Sequence, residues 1–400
     1  MPEFLPFRGL RYTHDDLTSV TAPPYDVIDD DERAELTRRH EHNAVRLILP
    51  DGPAATRYSG AADLLTDWQD RGVVAPDPNA RFYGYRMQYR DDQGRDRSTH
   101  GVLGALTLPE AAGTGDVLPH ERTLPKAKSD RLALLRATRA NLDPIWGLSG
   151  APELGAIARG GRELGRCIDP LGVRHTLRAI DDPETITALS TTVATSPVVL
   201  ADGHHRFETA INYRDEQRAA GVAHPGDDAI LCLLVELVAE ELWVQPIHRV
   251  LSAMPSDLDL RAILTEAARI EDLGGNTAHG VEVLRARMDA GDGFGLVDRL
   301  GVALVIPDAL DDPDIDSARF ERDVAPRLPE AVSVDYRDDA ATVAAMVDKG
   351  AGRAALLLRP VTVTQIRAAA DARTRMAQKT TFFAPKPRTG MVFRSLDLAG

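Results

Sequence analysis

The sequence predicts a mixed α/β (α+β) fold, organised as a core with large additions and a further α/β unit after residue 250. Three observations carry that expectation. Apolar runs of strand length, such as residues 198–200 and 229–237, alternate with segments of helical spacing, and neither type dominates. Residues 81–89 and 98–108 flank Asp92-Gln93-Gly94 and read as a hairpin, which places antiparallel pairing inside the fold. Residues 258–350 repeat the alternation of helix and strand with an acidic stretch of their own, which marks a separate unit.

Residues 1–30 are marked by proline and end in Thr21-Ala-Pro-Pro-Tyr-Asp-Val-Ile28, where two prolines stiffen the backbone and present Tyr25 and Asp26 in a fixed direction. A connector leading into a helix at 30–40 explains the same residues. Strand is expected at 44–49, helix at 61–71, the hairpin at 81–108 and a long helix at 129–141. A strand at 173–180 and a helix at 182–191 precede a polar turn near residue 203, and a helix follows at 207–220. Strands at 229–237 and 241–250 close the first part. The added unit is expected to hold helices at 258–270 and 281–290, strands at 293–297 and 301–306, and a solvated acidic loop at 308–316. An Arg-rich helix at 365–378 precedes 379–391, a segment too rich in Pro, Thr and Lys for a core and expected to fold back over the first part. The expected division is 1–250, 251–364 and 365–400.

A chain of 400 residues with 43% hydrophobic content can bury a large core in two or three units. Its net charge of −14, without a basic face, argues against duplex nucleic acid or an anionic membrane as partner. Cys167 and Cys232 have no metal or redox spacing. No signal pattern opens the chain and no apolar run approaches the roughly 18 residues that span a bilayer, so the expected location is cytoplasmic.

Chemistry concentrates in Pro197-Val-Val-Leu-Ala-Asp-Gly-His-His-Arg206-Phe-Glu-Thr-Ala210, which reads as strand, turn and helix. Such a junction points free N–H groups and a positive dipole end at whatever lies above it, and Gly203 allows close approach. Arg206 adds a planar fork suited to paired oxygens, so the turn fits a phosphate; a capped surface turn is the bland alternative. Only five of 47 basic residues are lysines, and four of them cluster: Lys126 and Lys128 after Pro119-His-Glu-Arg-Thr123, and Lys379 and Lys386 around Thr380-Thr-Phe-Phe-Ala384. A compact ammonium does at a phosphate what Arg cannot imitate.

The motifs Ala-Pro-Pro-Tyr-Asp-Val-Ile, Pro-His-Glu-Arg-Thr, Ala-Asp-Gly-His-His-Arg and Lys-Thr-Thr-Phe-Phe-Ala-Pro-Lys, in this order, resemble the family bearing domain of unknown function 1015. The stretch Asp202 to Arg206 is also similar to the phosphate-binding turn of the ParB and sulfiredoxin superfamily, in which the archaeal free serine kinases carry a related Gly-His-His-Arg. The resemblance implies a ParB/sulfiredoxin-like core with a nucleotide-phosphate cradle at Gly203 to Arg206.

These residues suit phosphoryl transfer, which asks for positioning, charge neutralisation and a carboxylate to orient the attacking hydroxyl. The catalytic candidates are Glu121, Asp202, His205 and Lys379, with Asp26 as a further carboxylate. Gly203, His204, His205, Arg206, Lys126 and Lys386 are the candidates for the donor, expected to be ATP, ADP or pyrophosphate with Mg as a companion ion. Tyr25, Asp26, His120 and Thr381 are the candidates for a small hydroxylated acceptor such as free serine. Glu121 equally suits a helix cap or salt bridge. Two other readings stay open: a nucleotide-binding regulatory protein without turnover, and a metal-dependent hydrolase using His120, Glu121, Asp202, His204 and His205. Adjacent histidines on one turn do not readily face one ion, which counts against the last. The metal requirement and the oligomeric state, a homodimer included, stay open.

Overall fold

The computed structural model describes residues 2–53, 55–111, 113–119, 128–291, 293–309 and 315–398. The fold is mixed α+β. It divides into two compact units, residues 1–243 together with 385–400, and residues 244–384. The second is therefore an insertion into the first. Residues 365–384, grouped above with the returning C-terminal segment, lie in the insertion, and only 385–400 rejoin the first unit. No described helix is long and apolar enough to cross a membrane.

The first unit is built on a nine-stranded mixed sheet in the order 117–119, 198–202, 145–149, 229–236, 96–107, 82–90, 174–180 and 162–168, with 4–5 paired onto 96–107. Strand Val198–Asp202 runs parallel to Val117–Pro119 and antiparallel to Ile145–Ser149. Leu200 pairs with Pro119 and Asp202 with Trp146, so the end of one neighbour and the start of the other meet at the end of this strand. Helix His204–Ala219 lays Phe207, Ala210 and Ile211 into the core formed with Ile145, Val198, Leu200 and Cys232. That packing anchors the strand and the helix on both sides of the turn between them.

The insertion carries a six-stranded sheet, antiparallel throughout, in the order 268–274, 301–307, 294–298, 354–357, 248–252 and 333–337. Alternation along its strands sends Leu251, Leu296 and Leu356 to one core and Val250, Val297 and Leu357 to another, so both faces of the sheet are covered.

Several elements differ from expectation for local physical reasons. Residues 44–49 form a short helix, Val45–Ile48, because the buried Asn43 carboxamide accepts from the Val45 N–H at 3.0 Å and turns the chain. Residues 241–250 split into Trp243–Gln245 and His248–Ser252 around Pro246, which has no N–H for a ladder. The helix expected at 258–270 is confined to Leu260–Thr265, since Ala268–Gly274 pairs with Gly301–Pro307. Helix Lys128–Thr138 ends early, and Ala140–Asn141 pairs with Arg394–Ser395. The Arg-rich helix is Val363–Asp371, opened by a Thr362/Gln365 capping box and ended before Arg373, whose φ is 50°. Asp316 is no solvated loop residue: it is buried and clasped by Arg359 through the backbone N–H at 2.8 Å and the guanidinium. The segment 379–391 is also more buried than its composition suggests, with Thr380, Thr381, Phe383, Arg388 and Thr389 all inside. Pairs such as Ser317 Oγ–Thr380 Oγ1 at 2.8 Å help make this burial tolerable, although Arg388 Nε is buried with no hydrogen-bond partner.

Candidate functional site

The turn after strand Val198–Asp202 is made by one residue, Gly203, at φ 84°. A Cβ there would sit 2.8 Å from Ile145 Cγ2, and positive φ is strained for any L side chain, so both space and conformation require glycine. The helix starts immediately, with His204, His205 and Arg206 as its first turn, three residues earlier than expected. Gly203 offers no side-chain cap. The first N–H groups of a sixteen-residue helix thus point away from the sheet end with the positive end of the dipole behind them.

Charges surround this turn. Lys386 Nζ lies 3.1 Å from Asp202 Oδ2, and Arg206 Nη2 lies 3.6 Å from the same oxygen. Burial alone would raise the Asp202 carboxyl. The charges of Lys386 and Arg206, with hydrogen bonds from Lys386 and the Gly203 N–H, outweigh it and hold the group well below the usual carboxylate range. Arg206 Nη1 donates to the Pro144 carbonyl at 2.6 Å, while its Nε is buried with no hydrogen-bond partner. Its guanidinium carbon is 5.9 Å from the Tyr25 ring centroid, and that of Arg131 is 4.2 Å from the same ring. Arg131 is itself fixed by the Ile48 carbonyl at 2.8 Å and by Asp130.

A second carboxylate, Asp143, behaves oppositely. Burial pushes it above its ordinary value, and Arg206, a hydrogen bond from the Thr389 hydroxyl and Arg131 oppose this without overcoming it. Thr389 is held by reciprocal backbone bonds with Ala22, at 3.1 and 2.9 Å, which stitch the C-terminal segment to the start of the Ala-Pro-Pro-Tyr-Asp motif. Two nearby carboxylates with environments that drive their protonation apart suit different tasks, one a permanent anion and the other a proton carrier. A small cavity of about 50 Å³ opens beside them, with Arg131, Asp143, Arg206 and Thr209 in its wall.

Asp202, Gly203, His204, His205, Arg206, Lys386 and Tyr25 therefore gather at one sheet end. Asp26 is exposed in the single turn Tyr25–Val27, and its charge is felt by both Arg206 and Asp143. His120, Glu121 and Lys126 lie outside the described residues; Pro119, just before them, pairs with Leu200 two residues short of Asp202. Lys379 and Thr381 belong to the insertion. Lys379 is exposed with φ 54°, its carbonyl accepting from the buried Arg249 at 2.9 Å, and Thr381 is buried. Sequence reasoning missed Asp143, Arg131 and Thr389. Asp143-Pro144 ahead of an apolar run is a turn signal that could have drawn attention, whereas Arg131 looks like any helical arginine. Among the described residues no group of three or more His, Cys, Asp or Glu side chains is placed to hold a metal ion.

The model of a protein family of unknown function, DUF1015, matches residues 4–350. The chain belongs to the DUF1015 family. No curated protein matches it. Among solved structures it is similar to a conserved hypothetical protein from Pyrococcus furiosus, at 12% identity over 71% of this chain and 94% of that one, with a TM-score of 0.38. It is similar at 11% identity to a free serine kinase in complex with AMP, over 71% and 90% of the two chains, with a TM-score of 0.39. The C-terminally truncated SbnI from Staphylococcus aureus shares 12% identity over 72% and 86%, with a TM-score of 0.39.

Proposed function

We propose that this DUF1015 chain is a phosphotransferase that moves a phosphoryl group from ATP, ADP or pyrophosphate to a hydroxyl of a small metabolite, free serine among the candidates. The observation that carries this reading is the glycine turn at a helix start, with Lys386 and Arg206 converging on the half-buried Asp202 beside it. N–H groups and a dipole end favour the non-bridging oxygens, and Arg206 Nε is an unused buried donor. A phosphate entering the turn would share Lys386 and Arg206 with Asp202. A magnesium ion would bind mainly phosphate oxygens and need one or two carboxylates, which the ionised Asp202 suits.

In the reaction the acceptor oxygen forms a bond to the terminal phosphorus. The bond from that phosphorus to the donor's bridging oxygen breaks, and its electron pair stays on the leaving phosphate. The acceptor proton passes to a carboxylate, first Glu121, with Asp143 as the alternative because its raised pKa suits a proton carrier. Lys386 and the helix start offset the charge on the transferring group.

The test is turnover of the full chain with ATP, ADP and pyrophosphate against amino-acid and polyol acceptors, read as phosphorylated product. Glu121→Gln is expected to lower turnover by about 10²–10⁴-fold with donor affinity nearly intact. Donor binding without product from any acceptor would replace the reading by a nucleotide-binding regulator. Loss of bound metal together with activity in Glu121→Gln, restored by added metal, would favour a metal-dependent hydrolase.

A further inference from the structure

A second pocket, of about 300 Å³, lies in the first unit between helix Asp30–Arg39, the start of helix Arg57–Asp70 and the start of helix Lys128–Thr138. Its wall includes three guanidinium groups, Arg33, Arg57 and Arg131. Facing them are the carboxylates of Asp29, Asp30, Asp51 and Asp130. The charges are ordered in pairs. Arg33 bonds to Asp51 and to the Leu49 carbonyl at 3.0 Å, Arg131 bonds to Asp130 at 2.9 Å, and the Tyr58 hydroxyl donates to the other Asp130 oxygen. Arg57 is different: its guanidinium lies 5.2 Å from the Tyr58 ring centroid, and its Nε is buried with no hydrogen-bond partner.

The pocket is linked to the candidate phosphate turn through Arg131 and Tyr25. Arg131 stands in its wall and also rests against Tyr25, the ring that Arg206 approaches from the turn. A molecule in the pocket is thus separated from Arg206 by the side chains of Arg131 and Tyr25.

Charge and size select the ligand class. Near-balanced charge gives no net attraction to a polyanion, so this is not a second phosphate site. Carboxylates accept and guanidinium groups donate, and a ligand rich in hydroxyls, each of which does both, can use such a mixed wall at every position. A pocket of about 300 Å³ has room for a ligand somewhat larger than serine. We propose that this pocket receives the phosphoryl acceptor as a neutral polyol or sugar, positioned by Arg57 and the Asp130–Arg131 pair. The proposal rests on the phosphotransferase reading for the ligand's role as acceptor, and not for its binding.

The experiment is calorimetry on the full chain with myo-inositol, D-ribose and L-serine as probes, alongside ADP, on the wild type, Arg57→Gln and Tyr58→Phe. Myo-inositol or ribose is expected to bind the wild type and to bind Arg57→Gln about tenfold more weakly, with ADP affinity and melting temperature unchanged. Tyr58→Phe, which only removes a hydroxyl, is expected to weaken the polyol by a smaller factor and serves if Arg57→Gln fails to fold. Binding of L-serine but neither polyol, or polyol binding that both variants leave unchanged, would overturn the proposal. Polyol binding sensitive to Arg57 without phosphorylated product would uphold the pocket and remove the phosphotransferase reading. Phosphorylated serine with no polyol binding would do the reverse.

Discussion

Asp202 sits half-buried between two cations, and its energetics follow from which of them remain. A carboxylate whose folded pKa is depressed adds stability that is present above its unfolded value, about 4, and is lost as pH falls through the folded value. Replacing Lys386 by Met removes the nearer partner and leaves Arg206 3.6 Å away. Lys386 is only 17% exposed, so the loss is expected to approach the several kcal/mol of a broken buried pair, reduced to about 2–3 by the remaining arginine. The Asp202 pKa should rise in the variant, and acid unfolding should begin at a higher pH. Urea unfolding of wild type and Lys386→Met between pH 3 and 7 measures both effects; equal acid midpoints would show that Lys386 does not hold Asp202. The rarity of lysine in this chain made Lys386 visible in the sequence, and the turn chemistry of Asp202-Gly203 made its partner visible. Asp143 and Thr389 were not legible, since their meeting depends on a contact across 246 positions that no local pattern encodes.

Strands and helices were legible where the local pattern and the tertiary demand agree. Residues 82–90 and 96–107 form a hairpin because alternation, β-propensity and the Asp92-Gln93-Gly94 turn point the same way. Residues 268–274 carry a helical spacing overruled by pairing with 301–307, which satisfies more backbone groups than an extension of helix Leu260–Thr265 would. Strand His248–Ser252 of the same sheet carries its own titration. His248 is buried, and its Nδ1 accepts the Leu358 N–H at 3.1 Å, which only an imidazole unprotonated at Nδ1 can do. Burial lowers it to about 4, with Arg285 and Arg249 acting in the same direction and Asp339 opposing. The unfolded histidine titrates near 6.5, so the neutral form stabilises the fold fully above that pH, and the contribution falls as pH drops from about 6.5 to about 4. A loss of about 3 kcal/mol is expected over this window. Chemical unfolding followed by Trp-independent circular dichroism at pH 7.5 and 4.5 should show it, and His248→Gln should abolish most of the difference.

The whole molecule is one unit interrupted by another, and its sequence shows the interruption only as a change in texture near residue 250. The chain leaves the first unit after Trp243 and returns at Pro385, where strands Trp243–Gln245 and Phe382–Ala384 pair. An insertion whose ends lie side by side disturbs its host little, because the host sees a short closed loop whatever the insert's length. Immediately after the return come Lys386 and Thr389, which reach Asp202 and Asp143. The candidate site is thus completed by residues that follow the insertion in the chain, and it cannot form until the insertion has been made and the chain has come back. The insertion, for its part, has all it needs: a six-stranded sheet with an apolar core on each face and helices over both. Residues 244–384 expressed alone are therefore expected to fold as a monomeric domain with a single cooperative melt. Joining residue 243 to 385 by a short Gly-Ser linker should give a first unit that still folds with Lys386 beside Asp202. Thermal melts by circular dichroism on the two pieces test this; an isolated insertion that shows no cooperative transition would mean that its two cores depend on the host.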